Sequence, residues 1–157
     1  MCGFNKTRIG LNAKIRDHNE FTEHTPMIGD RVICLKNNKR SNVPLYNGAH
    51  GTIRHITKNS HLDFARSVIE MDGVNEDMFR GKMLYGAFAK EKFNSYETGP
   101  GKEVFDYGYA ITAHKSQGSE FEKVMVIEEG KYVWRENWNK WLYTAVTRSS
   151  DELLIVG

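Results

Sequence analysis

Apolar positions follow two textures along the chain, helical spacing near its ends and short runs in its middle. Residues 2–4 form a brief apolar run. Ile9, Leu11 and Ile15 then recur at helical spacing, which predicts a helix over residues 8–18 capped by Thr7. Lys14 and Arg16 fall on its other faces. The Thr25-Pro26 step closes this unit, because the residue before proline disfavours helix. Residues 31–35 read as a short strand and 36–42 as a polar loop. Turn residues at Tyr46-Asn47-Gly48 and His50-Gly51 precede a strand at Thr52-Ile53. Residues 67–71 and 82–88 add further strands, and residues 94–102, with Gly99-Pro100-Gly101, form the exit loop. Short strands parted by Gly and Asn turns predict a small antiparallel barrel over residues 28–105.

The texture then changes back. Residues 107–111 read as a strand and 114–118 as one helical turn. KVMVI at 123–127 is a continuous apolar run, the pattern of a buried parallel strand. Residues 138–148 have helical spacing with Trp138, Trp141, Leu142 and Ala145 on one side, and 153–156 read as another buried strand. The order is β-α, a β-rich insert, then β-α-β-α-β. That order predicts an α/β parallel-sheet half-domain, residues 1–27 and 106–157, interrupted by a small barrel, 28–105.

Composition narrows the chemistry. The chain has 157 residues, 39% hydrophobic and 27% charged, enough to bury a core without disulfides or metal. A net charge of +2 argues against a polybasic binder. The first 40 residues are more basic than the rest, which is compatible with an anionic partner or with a solvated face. Cys2 and Cys34 make no CxxC pair, and the six histidines make no HxxxH or HExxH, so no metal site is expected. No apolar run is long enough for a membrane span, and the start lacks a signal-peptide core. A reduced, cytoplasmic setting is the default expectation.

Two stretches carry chemistry. In YAITAHKSQGSEF, residues 109–121, Thr112, His114, Lys115, Ser116 and Gln117 cluster as donors at a strand end, and Gly118 lets backbone approach a ligand. Donors at such an end of an open α/β sheet suit phosphate, of a nucleotide or of a nucleic-acid backbone. A polar loop capping a helix is the bland alternative. In WLYTAVTRSSDELLIVG, residues 141–157, a helix ends at Arg148 before a strand. A guanidinium there can fork onto phosphate, or pair with Asp151 or Glu152 at the surface. Lys36, Lys39 and Arg40 share one polar loop near Tyr46, again either a binding or a solvated segment.

Together these residues carry a resemblance. YAITAHKSQGSEF resembles motif V of superfamily 1 DNA helicases, LYTAVTRSSDELLIVG resembles motif VI, and GFNKTRIGLNAKIR looks like motif IV. IGDRVICLKNN followed by LYNGAHGTI resembles the SH3-like insert of RecD-like and Dda-like members, the exonuclease V alpha-subunit type. Ser119-Glu120-Phe121 and Ala145-Val146-Thr147-Arg148 look more RecD-like than Pif1-like. The resemblance implies a RecA-like, P-loop NTPase-type second motor domain with an SH3-like β-barrel insert. It implies that Arg148 is an arginine finger and that Arg8 is also directed at the ATP γ-phosphate. Gln117, Gly118 and Glu120 would serve the nucleotide. Thr112, His114, Lys115 and Ser116 would touch single-stranded DNA, largely without regard to sequence.

Walker A, GxxxxGK[ST], and a Walker B acid are missing from the sequence. ATP with Mg²⁺ is therefore expected to bind only with an N-terminal RecA-like domain, and the chain alone is expected not to hydrolyse it. A start just before motif IV suggests a C-terminal fragment. Expected partners are single-stranded DNA, that N-terminal domain, and nuclease or replication and repair subunits; a membrane is not expected. Two rival readings stay open, a stand-alone nucleic-acid or protein-binding module and a degenerate helicase remnant.

Overall fold

A computed structural model describes residues 1–59, 61–74, 78–91, 98–99, 101–129 and 135–157. The elements are α1 (Asn5–His18), β1 (Arg31–Cys34), β2 (His50–Thr57), β3 (Phe64–Met71), β4 (Met78–Leu84), β5 (Lys102–Glu103), β6 (Phe105–Tyr107), β7 (Phe121–Ile127), α2 (Trp138–Val146) and β8 (Ser149–Val156). They form two compact units, Met1–Leu11 with Ala110–Gly157, and Asn12–Tyr109. The sequence placed the boundaries near 27/28 and 105/106. The second half of α1 falls in the compact β-rich unit, to which Arg16 ties it through Asp30.

The first unit is a parallel α/β layer. β7 and β8 pair in parallel, Val124 opposite Leu153 and Val126 opposite Ile155. The chain start extends this sheet. Ile127 N–H donates to Met1 O at 2.8 Å on one side, and Cys2 bridges Thr112 in parallel on the other. The order is therefore residues 111–113, 1–3, β7, β8. α2 covers one face, where Trp141 and Ala145 pack on Val124 and Val126. Met125 points from the other face and is half exposed. Here the sequence expectation of two buried strands fails. β7 is buried on one face only, and β8 is an edge strand whose Leu153, Leu154, Ile155 and Val156 stay exposed, because α2 is the only helix packed on β7 and Val126 among the described residues.

The second unit is a six-stranded sheet in the order β5-β4-β3-β2-β1-β6. All its ladders are antiparallel except β4–β5. Alternate residues of β1, β2, β3, β4 and β6 supply a core of Val32, Ile53, Ile69, Phe79, Met83 and Phe105, joined by Leu45 from the loop after β1. The sequence expectation was a barrel. No ladder joins the two edge strands, so a closed barrel is not shown among the described residues. The edges β5 and β6 are nevertheless consecutive, separated by buried Val104 alone.

Several local expectations change. α1 starts at Asn5, and Thr7 does not cap it. Instead the Glu129 carboxylate accepts from Gly3 N, Phe4 N and Thr7 Oγ1 at 2.7, 2.9 and 2.6 Å, satisfying amides that the helix start leaves open. The buried stripe of α1 is polar, Arg8, Asn12 and Arg16, while Ile9, Leu11 and Ile15 are only partly buried. Arg16, assigned by spacing to another face, is inside. Its Nε and Nη2 donate to Asp30 at 2.9 and 3.1 Å and its guanidinium lies 4.4 Å from the Tyr107 ring centre. Residues 82–88 divide into the end of β4 and a 3₁₀ turn, Tyr85–Ala87. Residues 107–111 are not one strand: β6 ends at Tyr107, and the following bends separate it from the bridge at Thr112. Most of the expected exit loop, 94–102, lies outside the described residues, as does Trp134.

Among the described residues no helix is long and apolar enough to cross a membrane. No group of three His, Cys, Asp or Glu there is placed to hold a metal ion.

Candidate nucleotide and nucleic-acid site

The donor-rich stretch folds back on itself as soon as its strand ends. Ser116 Oγ donates to Ala113 O at 2.7 Å, and Lys115 N donates to Thr112 O at 2.9 Å, closing successive turns. Gly118 adopts φ +84°, a left-handed conformation that costs glycine little, and so aims the chain back toward β7. An added Cβ there would meet nothing within 4 Å, so conformation rather than close packing explains this glycine.

These turns sort the expected ligands by exposure. His114, Lys115, Gln117, Gly118 and Glu120 are exposed, whereas Thr112 and Ser116 are buried. The Ser116 hydroxyl proton is already spent on Ala113. Thr112 lies in the bridge to Cys2.

Arg148 follows α2, one residue before β8 begins. Its backbone carbonyl accepts from Phe121 N at 2.8 Å. Its Nε donates to Thr144 O at 3.2 Å, its Nη1 to Ser119 O at 3.4 Å, and its Nη2 to Thr147 Oγ1 at 3.2 Å. The guanidinium is thus tied to the peptide that precedes Glu120. The structure brings Arg148, Ser119 and Glu120 together at the amino ends of β7 and β8. The surface pairing with Asp151 or Glu152 that the sequence allowed is absent; Glu152 pairs with Lys123 instead, at 2.6 Å.

Arg8 stands elsewhere. It lies in the first turns of α1, just past the carboxyl end of β7, where Glu129 holds the helix start. Its Nε donates to Asn5 Oδ1 at 3.2 Å, and the side chain is buried. Seven-residue β7, about 20 Å long at its usual rise, separates that end from Arg148.

A cavity of about 420 Å³ opens between the turns and α2. His114 and Gln117 line it from one side, and Asn137, Lys140, Trp141 and Thr144 from the other. Sequence reasoning missed Asn137, Lys140 and Thr144. The signal was present in their spacing of three and four, which puts them on one helix face beside Trp141.

Residues 107–156 match the UvrD-like helicase C-terminal domain. That is about a third of the chain, and it contains every element of this site except Arg8. Solved structures match the whole chain. One is Pif1 helicase from Bacteroides in complex with ADP-AlF3 and single-stranded DNA, 17% identical, TM-score 0.62, with 39% of that protein covered. Another is from a study of two coordinating Pif1 helicases unwinding forked duplex DNA, 19% identical, TM-score 0.61, with 38% covered. At such identity these show the fold, a helicase RecA-like arrangement, and do not distinguish a Pif1-like from a RecD-like branch. Among curated proteins, the uncharacterized protein MJ1519 of Methanocaldococcus jannaschii is 30% identical over 132 residues, 82% of this chain. The chain spans only 10% of that protein's length.

Proposed function

We propose that this chain is the C-terminal motor portion of an ATP-dependent DNA helicase of the RecD-like or Dda-like kind. The observation that carries the reading is the attachment of Arg148 to the Ser119-Glu120 peptide. A guanidinium held on the Ser119 carbonyl can donate to phosphate, and the exposed Glu120 carboxylate that follows can accept from a sugar hydroxyl. ATP with Mg²⁺ would supply the energy of translocation, bound jointly with an N-terminal domain carrying Walker A and Walker B. This chain contributes Arg148 as the arginine finger, with Gln117, Gly118 and Glu120 beside it. Arg8, buried at the other end of β7 about 20 Å away, is not proposed to share that γ-phosphate with Arg148 in this arrangement.

Single-stranded DNA is the proposed track, and nuclease or replication and repair subunits are the proposed partners. His114 and Lys115 are the exposed donors for the strand, with Thr112 and Ser116 shaping the turn they stand on. The cavity between these turns and α2 supports this reading, since His114 and Lys140 line it together with Trp141. Residues 28–105 are proposed as an SH3-like barrel insert. The run from β5 to β6 supports this, because one segment pairs first with β4 and then with β1.

The test joins this chain to a motor domain bearing both Walker motifs and measures DNA-stimulated ATP hydrolysis. Arg148→Ala should lower turnover by about 10³-fold or more, the range for arginine fingers, while leaving DNA affinity intact. Unchanged turnover would refute the finger. Turnover by this chain alone, above background and lost in Arg148→Ala, would refute its being one half of a motor.

A further inference from the structure

α2 ends on a change of winding that leaves one carbonyl to a side chain. Thr147 N donates to Tyr143 O at 3.1 Å, four residues back. Arg148 N then donates to Ala145 O at 3.3 Å, only three residues back. Thr144 O thereby loses the amide that a longer α-helix would bring to it. The Arg148 side chain takes that place, with Nε donating to Thr144 O at 3.2 Å. A cation there also meets the negative end of the helix dipole.

Two further acceptors fix the guanidinium. Nη1 donates to Ser119 O at 3.4 Å, and Nη2 donates to Thr147 Oγ1 at 3.2 Å. The Thr147 hydroxyl is set to accept because its own proton is already spent. Oγ1 donates to Tyr143 O at 2.8 Å, with Thr144 O a longer second acceptor at 3.4 Å. A hydroxyl has one proton and two lone pairs, so the helix carbonyls decide which way its lone pairs face. Among the described residues, three of the five guanidinium N–H groups are thus used, one on each nitrogen. The two that remain are one on Nη1 and one on Nη2, and a bidentate contact with phosphate needs two N–H groups on neighbouring nitrogens.

We propose that Thr147 is a positioning residue for Arg148: it holds the guanidinium so that the two remaining N–H groups meet one phosphate group together. The proposal rests on the finger reading for its phosphate and adds a second residue to it. Thr147 acts through Nη2 of Arg148, not on the nucleotide. A guanidinium already ordered by the helix end loses less conformational freedom when the phosphate arrives, and its donors need no reorientation as charge develops. Thr147 is exposed, so it has little packing to lose, and a substitution there reads the hydrogen bond rather than the core. A threonine that only capped α2 would act through Tyr143 O and would not order Arg148.

The experiment has two readouts. In the full chain labelled with nitrogen-15, the Arg148 Nε–H signal is assigned by its loss in Arg148→Lys, and its exchange with solvent is timed. Thr147→Val keeps the shape and removes the hydroxyl, and should speed that exchange about tenfold, the scale of one hydrogen bond to a charged group. Thr147→Ser keeps the hydroxyl and should restore slow exchange. In the chain joined to a motor domain bearing both Walker motifs, Thr147→Val should lower kcat by about tenfold and leave KM for ATP unchanged, because the contact it orders is made in the transition state. Thr147→Ser should recover most of that loss. A Thr147→Val variant with wild-type exchange and wild-type kcat would overturn the proposal, as would a serine variant that fails as badly as valine. A lower kcat that tracks a lower melting temperature, with Nε–H exchange unchanged, would show a merely structural role and overturn it too. Arg148→Ala separates the two readings. Turnover unchanged in Arg148→Ala refutes the finger and this role of Thr147 with it, whereas turnover lost in Arg148→Ala but kept in Thr147→Val refutes Thr147 alone.

Discussion

Asp30→Ala should be among the most costly single substitutions in the second unit. Asp30 is fully buried and accepts four hydrogen bonds: from Arg16 Nε and Nη2, from Met27 N at 2.8 Å and from Tyr109 Oη at 2.9 Å. Arg16 also donates to Glu23 O at 2.9 Å and Thr25 O at 3.1 Å, and its guanidinium is sandwiched near Tyr107 and Phe21. Removing the carboxylate strands a buried guanidinium and two neutral donors. Loss of one partner of a buried pair costs about 3–5 kcal/mol, a large share of the stability of a domain this size. Urea unfolding followed through the near-ultraviolet tyrosine signal reports mainly on this unit, which holds five of the seven tyrosines. Tryptophan fluorescence reads the other, because all three tryptophans lie after residue 133. Arg16→Met/Asp30→Asn should cost less than Asp30→Ala alone, since no charge is left stranded and the Asn oxygen can still accept from Met27 N while its NH2 donates to the Tyr109 oxygen. A loss below about 1 kcal/mol in Asp30→Ala, or a double variant worse than the single, would refute the stranded-charge argument.

Three further outcomes are expected. Burial pushes the Tyr109 hydroxyl up to about 12 from 10.0, so between those pH values the unfolded chain releases a proton that the folded chain keeps; stability is full below pH 10 and falls as the pH rises through 12, and Tyr109→Phe should flatten that fall in an alkaline unfolding series. Burial likewise pushes the Cys2 thiol up to about 11, and Cys34 is equally enclosed, so an aromatic disulfide reagent at neutral pH should label neither until urea unfolds the chain. Fast labelling of the native chain would contradict this. Glu129→Ala removes the acceptor for two amides and a hydroxyl at the start of α1 and should cost about 1–2 kcal/mol, with faster hydrogen exchange at Phe4; no change in exchange would show that another group caps the helix.

What the sequence revealed and what it hid follow from the range of the interactions involved. Short-range patterns were legible. Val124 and Val126 flanking Met125, and Trp141 four before Ala145, already specified a strand and the helix covering it. The motif order from the apolar start to Arg148 was legible too, because it depends on residue types at fixed spacing. Burial was less legible where it depends on what lies opposite. Four apolar residues at 153–156 imply burial only if something packs on them, and β8 is an edge. The reverse happened in α1, whose charged Arg16 looked solvent-facing because its partner Asp30 lies fourteen residues on, beyond any helical spacing.

The same limit explains why the sequence drew attention to one basic cluster and not to another. Lys36, Lys39 and Arg40 are adjacent in the chain and so are conspicuous. In the structure Lys36 reaches toward Thr98 at 3.5 Å, and the loop they share closes on itself through Asn38 and Leu45. Arg66, Arg80 and Lys82 are spread over seventeen residues and become a cluster only through the β3–β4 register. A one-residue slip of that register would turn Arg80 and Lys82 into the core and Phe79 out of it. Burying Phe79 at the centre of the sheet therefore forces the two cations outward, opposite Arg66. The core that stabilises this unit is also what concentrates positive charge on its outer face.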